Sequence, residues 1–586
     1  MKRLVVLVII VAVTAGALYV AEHRRADAPV SPDALLHFIG DTQRELTHLP
    51  ASATRISDEE EIRFGQEMAR RIDTDERRQE SNTDPDRDAV QQYINRVGGR
   101  LATHARRKLP YSFHYIPDPH FVNAFALPGG PVFIGGGLMS LMDSEDELAS
   151  VLGHEIEHID HYHAAERVQI EARTRRLGLG RLVVEIPIMI FQAGYTKEQE
   201  LQADSEGTRL AVQAGYSPLG SIRMFEAFDR AYHEASAKQA ASPQQEIARV
   251  ALQTLEGYFR SHPPSAERAQ RIRDLMAAEH WPAKPERDLE VGWVFAQLRA
   301  DDFLRTHKYA EAQAQAEHVL KLKPGNMKAL WTLSRAQLLQ GDFLSASANL
   351  REMLAQEPHS LNLTYQYAHA LAGVPNHALA ARDFEEWLNS PQAGQDPLLS
   401  SAVAGLKLLA GDERPAQTIA SSIENGNVDS ARASELGYLG WWFYLAGRYD
   451  TAADLLTRAS NMLPGNAQYT ATLGWTNIER QDYADALRQF GAPTMSAYLL
   501  SGTEETAFDP ATSEAGAAVA LWLGNRRNDA VARFGPVYDE HPEWRNPRWV
   551  RATYSSTVWR TVSQISAEIE RTRKPNLRAS AHPAPN

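Results

Sequence analysis

Two histidines and a glutamate at close spacing are the residues of this chain best placed to do chemistry. His154 and His158 are four apart in the run His154-Glu155-Ile156-Glu157-His158. On a helix, one turn separates the two imidazoles, which leave the same face with Cβ atoms roughly 6 Å apart. That spacing suits two ligands of a tetrahedral zinc. Glu155 then stands beside the metal and not on it, where it can take a proton from water. Five-residue patterns of this kind also arise by chance in buried helices, so the surroundings must supply the rest.

The elements that position the motif are legible around it. Ser144 with Glu147 reads as a capping box, and Leu148, Val151, Leu152 and Ile159 follow at helical spacing, so the motif sits mid-helix. This helix is expected to continue to about Arg175. Upstream, Ser57 with Glu60 opens an amphipathic helix over 59–72, a charged loop is expected over 75–88, and Val90, Tyr93, Ile94, Val97 and Leu101 line a second helix. Tyr111, Phe113 and Tyr115 alternate as in a half-buried strand. Two further short strands, 121–125 and 131–134, flank the turn Leu127-Pro128-Gly129-Gly130, and Gly135-Gly136-Gly137 ends the sheet. The expectation is an α+β domain with a small antiparallel sheet beside the motif helix.

A catalytic zinc takes three protein ligands and keeps one position open. Cysteine is absent, so the third must be His, Asp or Glu. His161 falls within about 20° of the zinc face but reads as a surface histidine. A metzincin would need glycine at position 161 and histidine at 164; the chain has His161 and Ala164. The gluzincin alternative takes a glutamate from a later helix. Thr196 with Gln199 caps such a helix, running through Ala214, and it carries Glu200-Leu201-Gln202-Ala203-Asp204. Glu200 would ligate the metal, and Asp204, one turn on, would accept a ring N–H of a zinc histidine.

The 586 residues are 43% hydrophobic and 23% charged, with a net charge of -13, which argues against a nucleic-acid partner. Met1-Lys2-Arg3 precedes an apolar run over 4–21 containing Ala15-Gly16-Ala17. Residues 1–21 read as a secretory signal or signal anchor, with cleavage favoured, and the rest as periplasmic. Membrane association is expected only through this segment or through partners. Residues 22–50 read as a linker, 51–285 as the metallopeptidase domain, 289–573 as helical repeats and 574–586 as a disordered tail.

The repeats have a 34-residue period. Ala312, Ala346 and Ala380 share one register, as do Tyr309 with Phe343 and Pro324 with Pro358. Gly440 and Gly474, Tyr449 and Tyr483, and Ala452 and Ala486 repeat it, and Pro464-Gly465-Asn466 echoes Pro324-Gly325-Asn326. A later unit has Ala518, Ala530, Phe534 and Pro542 at corresponding spacing. The pattern resembles the tetratricopeptide repeat, an all-α solenoid that binds partners on a concave face.

The residues Asn123-Ala124-Phe125-Ala126-Leu127-Pro128-Gly129-Gly130, Val132-Phe133-Ile134, Gly137-Leu138, the H-E-x-x-H and the E-x-x-A-D together resemble the HtpX and CAAX-prenyl-protease family of zinc peptidases, as do His262-Pro263-Pro264 and Arg268. The resemblance implies one zinc on His154, His158 and Glu200, with Glu155 as general base. Asn123, Ala124 and Phe125 would form an edge strand for substrate. His262 could stabilise the oxyanion, occupy a fourth ligand position in a latent state, or simply shape the turn; for Arg268 the choice is oxyanion support or an ordinary salt bridge. The implied activity is an exported endopeptidase acting on unfolded or misassembled polypeptides, in outer-membrane protein quality control, with repeats that engage the outer-membrane assembly machinery. The alternative is a chaperone or adaptor with a latent peptidase site.

Overall fold

Ser57 Oγ accepts from Glu60 N–H at 3.3 Å and the Glu60 carboxylate accepts from Ser57 N–H at 3.2 Å, so the first helix, α1 (Asp58–Gln79), starts where its capping pair requires. The computed structural model describes residues 57–79, 84–175, 195–241, 266–389, 397–424, 430–491 and 510–579. The signal segment, the linker, the apolar stretch up to 194 and His262 lie outside the described residues. The chain divides after Asp288 into two compact units.

In the first unit α1 runs past 75, where a loop was expected, because no helix breaker occurs before Pro85. Pro85 instead takes the first turn of α2 (Pro85–Ala102), which buries Val90, Tyr93, Ile94, Val97 and Leu101. Three strands follow: β1 (Ser112–Ile116), β2 (Ala124–Ala126) and β3 (Pro131–Gly135). β2 and β3 form the expected hairpin, with Phe125 opposite Phe133. The sheet is nonetheless mixed and not antiparallel: β1 pairs parallel to β3, Phe113 opposite Val132, giving the order β1-β3-β2. Pro117, Pro119 and turn bonds such as Phe121 N–H to Asp118 O stop the chain from folding straight back on β1, so it returns beyond β3. β3 becomes the central strand, buried at every position. The glycines after it form a one-turn helix, α3 (Gly136–Met139).

The motif helix α4 (Glu145–Asp160) begins at the expected capping box, with Ser144 Oγ accepting from Glu147 N–H and Glu147 answering at Ser144 N–H. It ends fifteen residues short of Arg175. The reason lies outside the helix: Arg107 donates to the Ile159 carbonyl at 2.9 Å and Arg106 to the Asp160 carbonyl at 2.6 Å, capping the C-terminus with cations. Tyr162 then turns left-handed, at φ 63°, with the Arg107 guanidinium 3.8 Å from its ring centre. A new helix, α5 (His163–Arg175), starts in a different direction. Arg107 also pairs with Glu61, whose buried carboxylate accepts from Gly129 N–H in the hairpin turn, so one arginine ties α1, the hairpin and the end of α4. Phe64, Met68 and Ile72 of α1 meet Phe125, Phe133 and Val168 in the core beneath.

Three more helices close the unit: α6 (Lys197–Gln213), α7 (Leu219–Ala241) and α8 (Ala266–Ala278). The α6 start is the expected Thr196–Gln199 capping box. α6 lies along α4, and Gly207 faces Gly153 where the two backbones come closest.

The second unit contains seven helix pairs among the described residues, from Gly292–Arg305 with Tyr309–Leu322 to Pro510–Leu523 with Arg527–Glu540. The period is physical. Ala312, Ala346, Ala380, Ala452, Ala486 and Ala530 are all buried at helix crossings. Asn326 and Asn466 cap the helices after their Pro-Gly turns, accepting from Ala329 N–H and Tyr469 N–H. A final helix, Ser556–Ala579, buries Val558, Val562, Ile565 and Ile569. The helix continues through 574–579, part of the span expected as a disordered tail.

Candidate metal centre

α4 and α6 bring three donors together. His154 Nε2 and His158 Nε2 are 3.1 Å apart, and the Glu200 carboxylate oxygens lie 3.6 and 3.5 Å from them. Tetrahedral ligands at about 2.0–2.1 Å from one zinc would be about 3.3 Å from each other, so the donors fit the ion. All three side chains are buried. Carboxylates are not sunk beside imidazoles without compensation, and a cation at this point supplies it. Among the described residues no other group of His, Asp and Glu converges in this way. Glu155 is buried on the same helix, one residue from His154.

Behind these donors lies a layer that orients them. Asp204 Oδ1 meets His154 Nδ1 at 3.0 Å, which directs His154 Nε2 inward. Arg268, from α8, donates to both Asp204 oxygens at 2.6 and 2.7 Å and reaches Glu200 Oε2 at 3.1 Å. It stands behind the ligands as a bidentate partner of Asp204. Tyr195 stacks on the His158 ring at 3.7 Å, and Arg167 covers the other part of this layer, 4.7 Å from the Tyr195 ring centre.

The two motif histidines differ electrostatically. Burial pushes His154 down, but its Asp204 hydrogen bond and the Glu200, Asp204 and Glu155 charges together hold it above its ordinary value. His158 is driven far down by burial, with His154 and His163 adding to the effect and Glu200 opposing it. Burial would raise Asp204, yet Arg268 and His154 keep it below the usual carboxylate range.

His161 is half-buried and turned aside, between Glu157 at 3.3 Å and Gln202 at 3.0 Å. Asn123, Ala124 and Phe125 are buried at the β2 edge of the sheet, and Asn123 O accepts from Gly135 N–H. Two residues of the site were not anticipated from the sequence: His163, whose Nδ1 lies 3.1 Å from His158 Nδ1, and Tyr195. Burial and the neighbouring His161 take His163 down to about 4.

A buried His-His-Glu set on two helices beside a small sheet defines a metallopeptidase. Residues 88–276 match Peptidase family M48, and the first unit carries a metallopeptidase domain. The chain is 24% identical to the beta-barrel assembly-enhancing protease of Escherichia coli (strain K12) over 420 residues, 64% of this chain and 79% of that protein. The protein of the same name from Yersinia pestis is 24% identical over 414 residues, 63% of this chain and 83% of its own length. The crystal structure of yeast Tom70 covers 64% of this chain at 10% identity, with a TM-score of 0.27.

Proposed function

We propose that this chain is an exported zinc endopeptidase that cuts unfolded or misassembled polypeptides during outer-membrane protein assembly. The observation that carries the reading is the convergence of His154, His158 and Glu200, with Asp204 holding His154 from behind. Bound zinc, one per chain, would supply a Lewis acid that polarises a peptide carbonyl and makes water acidic enough to react near neutral pH. Glu155 takes the proton from the attacking water and returns it to the leaving amine. Arg268 positions Asp204 and Glu200 and offsets their charge. The outer edge of β2 accepts an extended substrate as an added strand.

The relatives' name, beta-barrel assembly-enhancing protease, supports the assembly of beta-barrel proteins as the setting, and the apolar run 4–21 supports export to the periplasm. Among the described residues no helix is long and apolar enough to cross a membrane. The helix pairs of the second unit supply the surface for substrates and for the assembly machinery. His262 stays in this proposal as a latency or oxyanion residue.

The test is metal content and proteolysis of the full chain. His154→Ala, His158→Ala and Glu200→Ala should each lose stoichiometric zinc and cleavage of an unfolded protein. Glu155→Gln should keep zinc, lose cleavage and retain bound substrates, whose identification names the clients. Zinc without cleavage in the unaltered chain would point to the chaperone or adaptor reading.

A further inference from the structure

We propose that His163 is a positioning residue that fixes which nitrogen of His158 faces the metal, beside a second hydrogen-bonded row formed by Gln202, His161 and Glu157. The inference rests on the metal reading above.

His158 presents Nε2 to His154 and Glu200, so its proton must sit on Nδ1 if Nε2 is to bind a metal. In a metal-binding histidine that nitrogen is held by a hydrogen-bond partner, and His158 Nδ1 has a ring nitrogen within reach. It meets His163 Nδ1 at 3.1 Å, in a ring buried to 5% exposure. One of the two must donate, and His158 is the donor in the metal-binding tautomer. His163 then accepts at Nδ1 and carries its own proton on Nε2.

The second row lies beside this pair. The His161 ring lies alongside His163, 5.6 Å between ring centres. Gln202 Nε2 donates to His161 Nδ1 at 3.0 Å. Arg106 points a second donor at His161 Nδ1, at 3.3 Å. His161 therefore protonates on Nε2, which faces Glu157 at 3.3 Å. With His158 Nε2 on a metal, the 3.1 Å contact runs in one direction only, from His158 Nδ1–H to His163 Nδ1.

The helix break explains how His163 reaches this place. Five residues along an unbroken helix amount to about 500° of rotation, or 140° away from His158. The left-handed turn at Tyr162, covered by Arg107, swings the next helix so that His163 comes back over His158. The Gln202 in E-L-Q-A-D thus serves the first histidine helix, between one residue that binds metal and another that orients it.

The experiment compares zinc affinity of the full chain by competition with a chromogenic chelator, for His163→Phe and His163→Gln. Phenylalanine keeps the ring but accepts nothing at Nδ1; affinity should fall 10- to 100-fold. Glutamine offers a carbonyl and should stay within a few-fold of the unaltered chain. Equal affinity in His163→Phe overturns the proposal. Should that variant fail to fold, ring nitrogen-15 shifts of the zinc-loaded unaltered chain decide, with His163 assigned by its absence from the His163→Gln spectrum. An unprotonated Nδ1 and a protonated Nε2 on His163 support the proposal; the opposite tautomer overturns it. An unaltered chain that binds no zinc sinks the metal reading itself, and this inference with it.

Discussion

Gly207 lies so close to the motif helix that a β-carbon on it would sit 2.7 Å from the His154 backbone nitrogen and 2.9 Å from the Gly153 carbonyl carbon. A β-carbon on Gly153 would in turn sit 2.8 Å from the Gly207 carbonyl oxygen. These contacts are with backbone, which cannot rotate away. Gly207→Ala should therefore force the two helices apart at the histidine that starts the ligand set. We expect a loss of about 1–3 kcal/mol in stability and weaker zinc binding, read by thermal unfolding and metal analysis. A variant with unchanged melting temperature and full zinc would show that the crossing is not tight.

Arg268 is the cation that faces both Asp204 and Glu200 from behind. Arg268→Gln leaves two buried carboxylates without it. In the metal-free chain this should cost roughly 3–5 kcal/mol, measured by denaturant unfolding. Arg268→Lys keeps a charge but cannot grip Asp204 with two parallel bonds, and should fall between the two. Indifference to both changes would remove Arg268 from the positioning layer.

Glu147 supplies the pH-dependent prediction. Burial raises it from 4.5 to about 7, against the hydrogen bonds it accepts from Asp143 N–H and Ser144 N–H. The folded chain holds this proton more tightly than the unfolded one. The stability it contributes is therefore complete below about pH 4.5 and is lost as pH rises through 7. Glu147→Gln lacks this dependence. The stability of the unaltered chain relative to the variant should fall by at most about 3 kcal/mol between pH 4.5 and 8. A pH-independent difference between the two melting curves would contradict the assignment.

In the second unit, Tyr309 Oη donates to the buried Glu543 carboxylate at 2.6 Å, and His541 meets the same carboxylate at 3.1 Å. His307 Nδ1 lies 2.6 Å from the Glu540 carbonyl, and Asn546 donates to the Gln340 carbonyl at 2.7 Å. Tyr309→Phe should cost about 1–3 kcal/mol and speed amide exchange in 309–322. Exchange confined to 540–546 would show that the contact does not hold the first pair.

The legible parts of this molecule were those written in local chemistry. Ser144 with Glu147 and Thr196 with Gln199 mark helix starts because each pair closes its own hydrogen bonds within one turn. Ala312, Ala346 and Ala380 reveal a period because each meets the same crossing. The donor set could be picked out because His154 and His158 are ligating types one helical turn apart, and Glu200 with Asp204 repeats that spacing on a later capped helix. What could not be read depends on residues far apart in sequence. β1 lies parallel to β3 because of where the chain between the strands can turn. The motif helix stops at Asp160 because Arg106 and Arg107 arrive from before the sheet. The position of His163 over His158 depends on that stop. Gly153 and Gly207 carried a signal, a glycine inside each of two helices, but nothing in the sequence pairs them.

The contacts of Tyr309 and His307 with residues 540–543 join the first helix pair to the end of the seventh, 234 and 233 residues away. An open array of repeats folds by local steps, and its terminal repeats fray first. Here the two termini protect each other, so neither can settle until both exist. During synthesis the first pair must wait for its Glu543 contact until residues near 543 emerge. The final closure joins distant segments and is the slow step. Loss of the last forty or so residues would then expose the beginning of the array as well as its end.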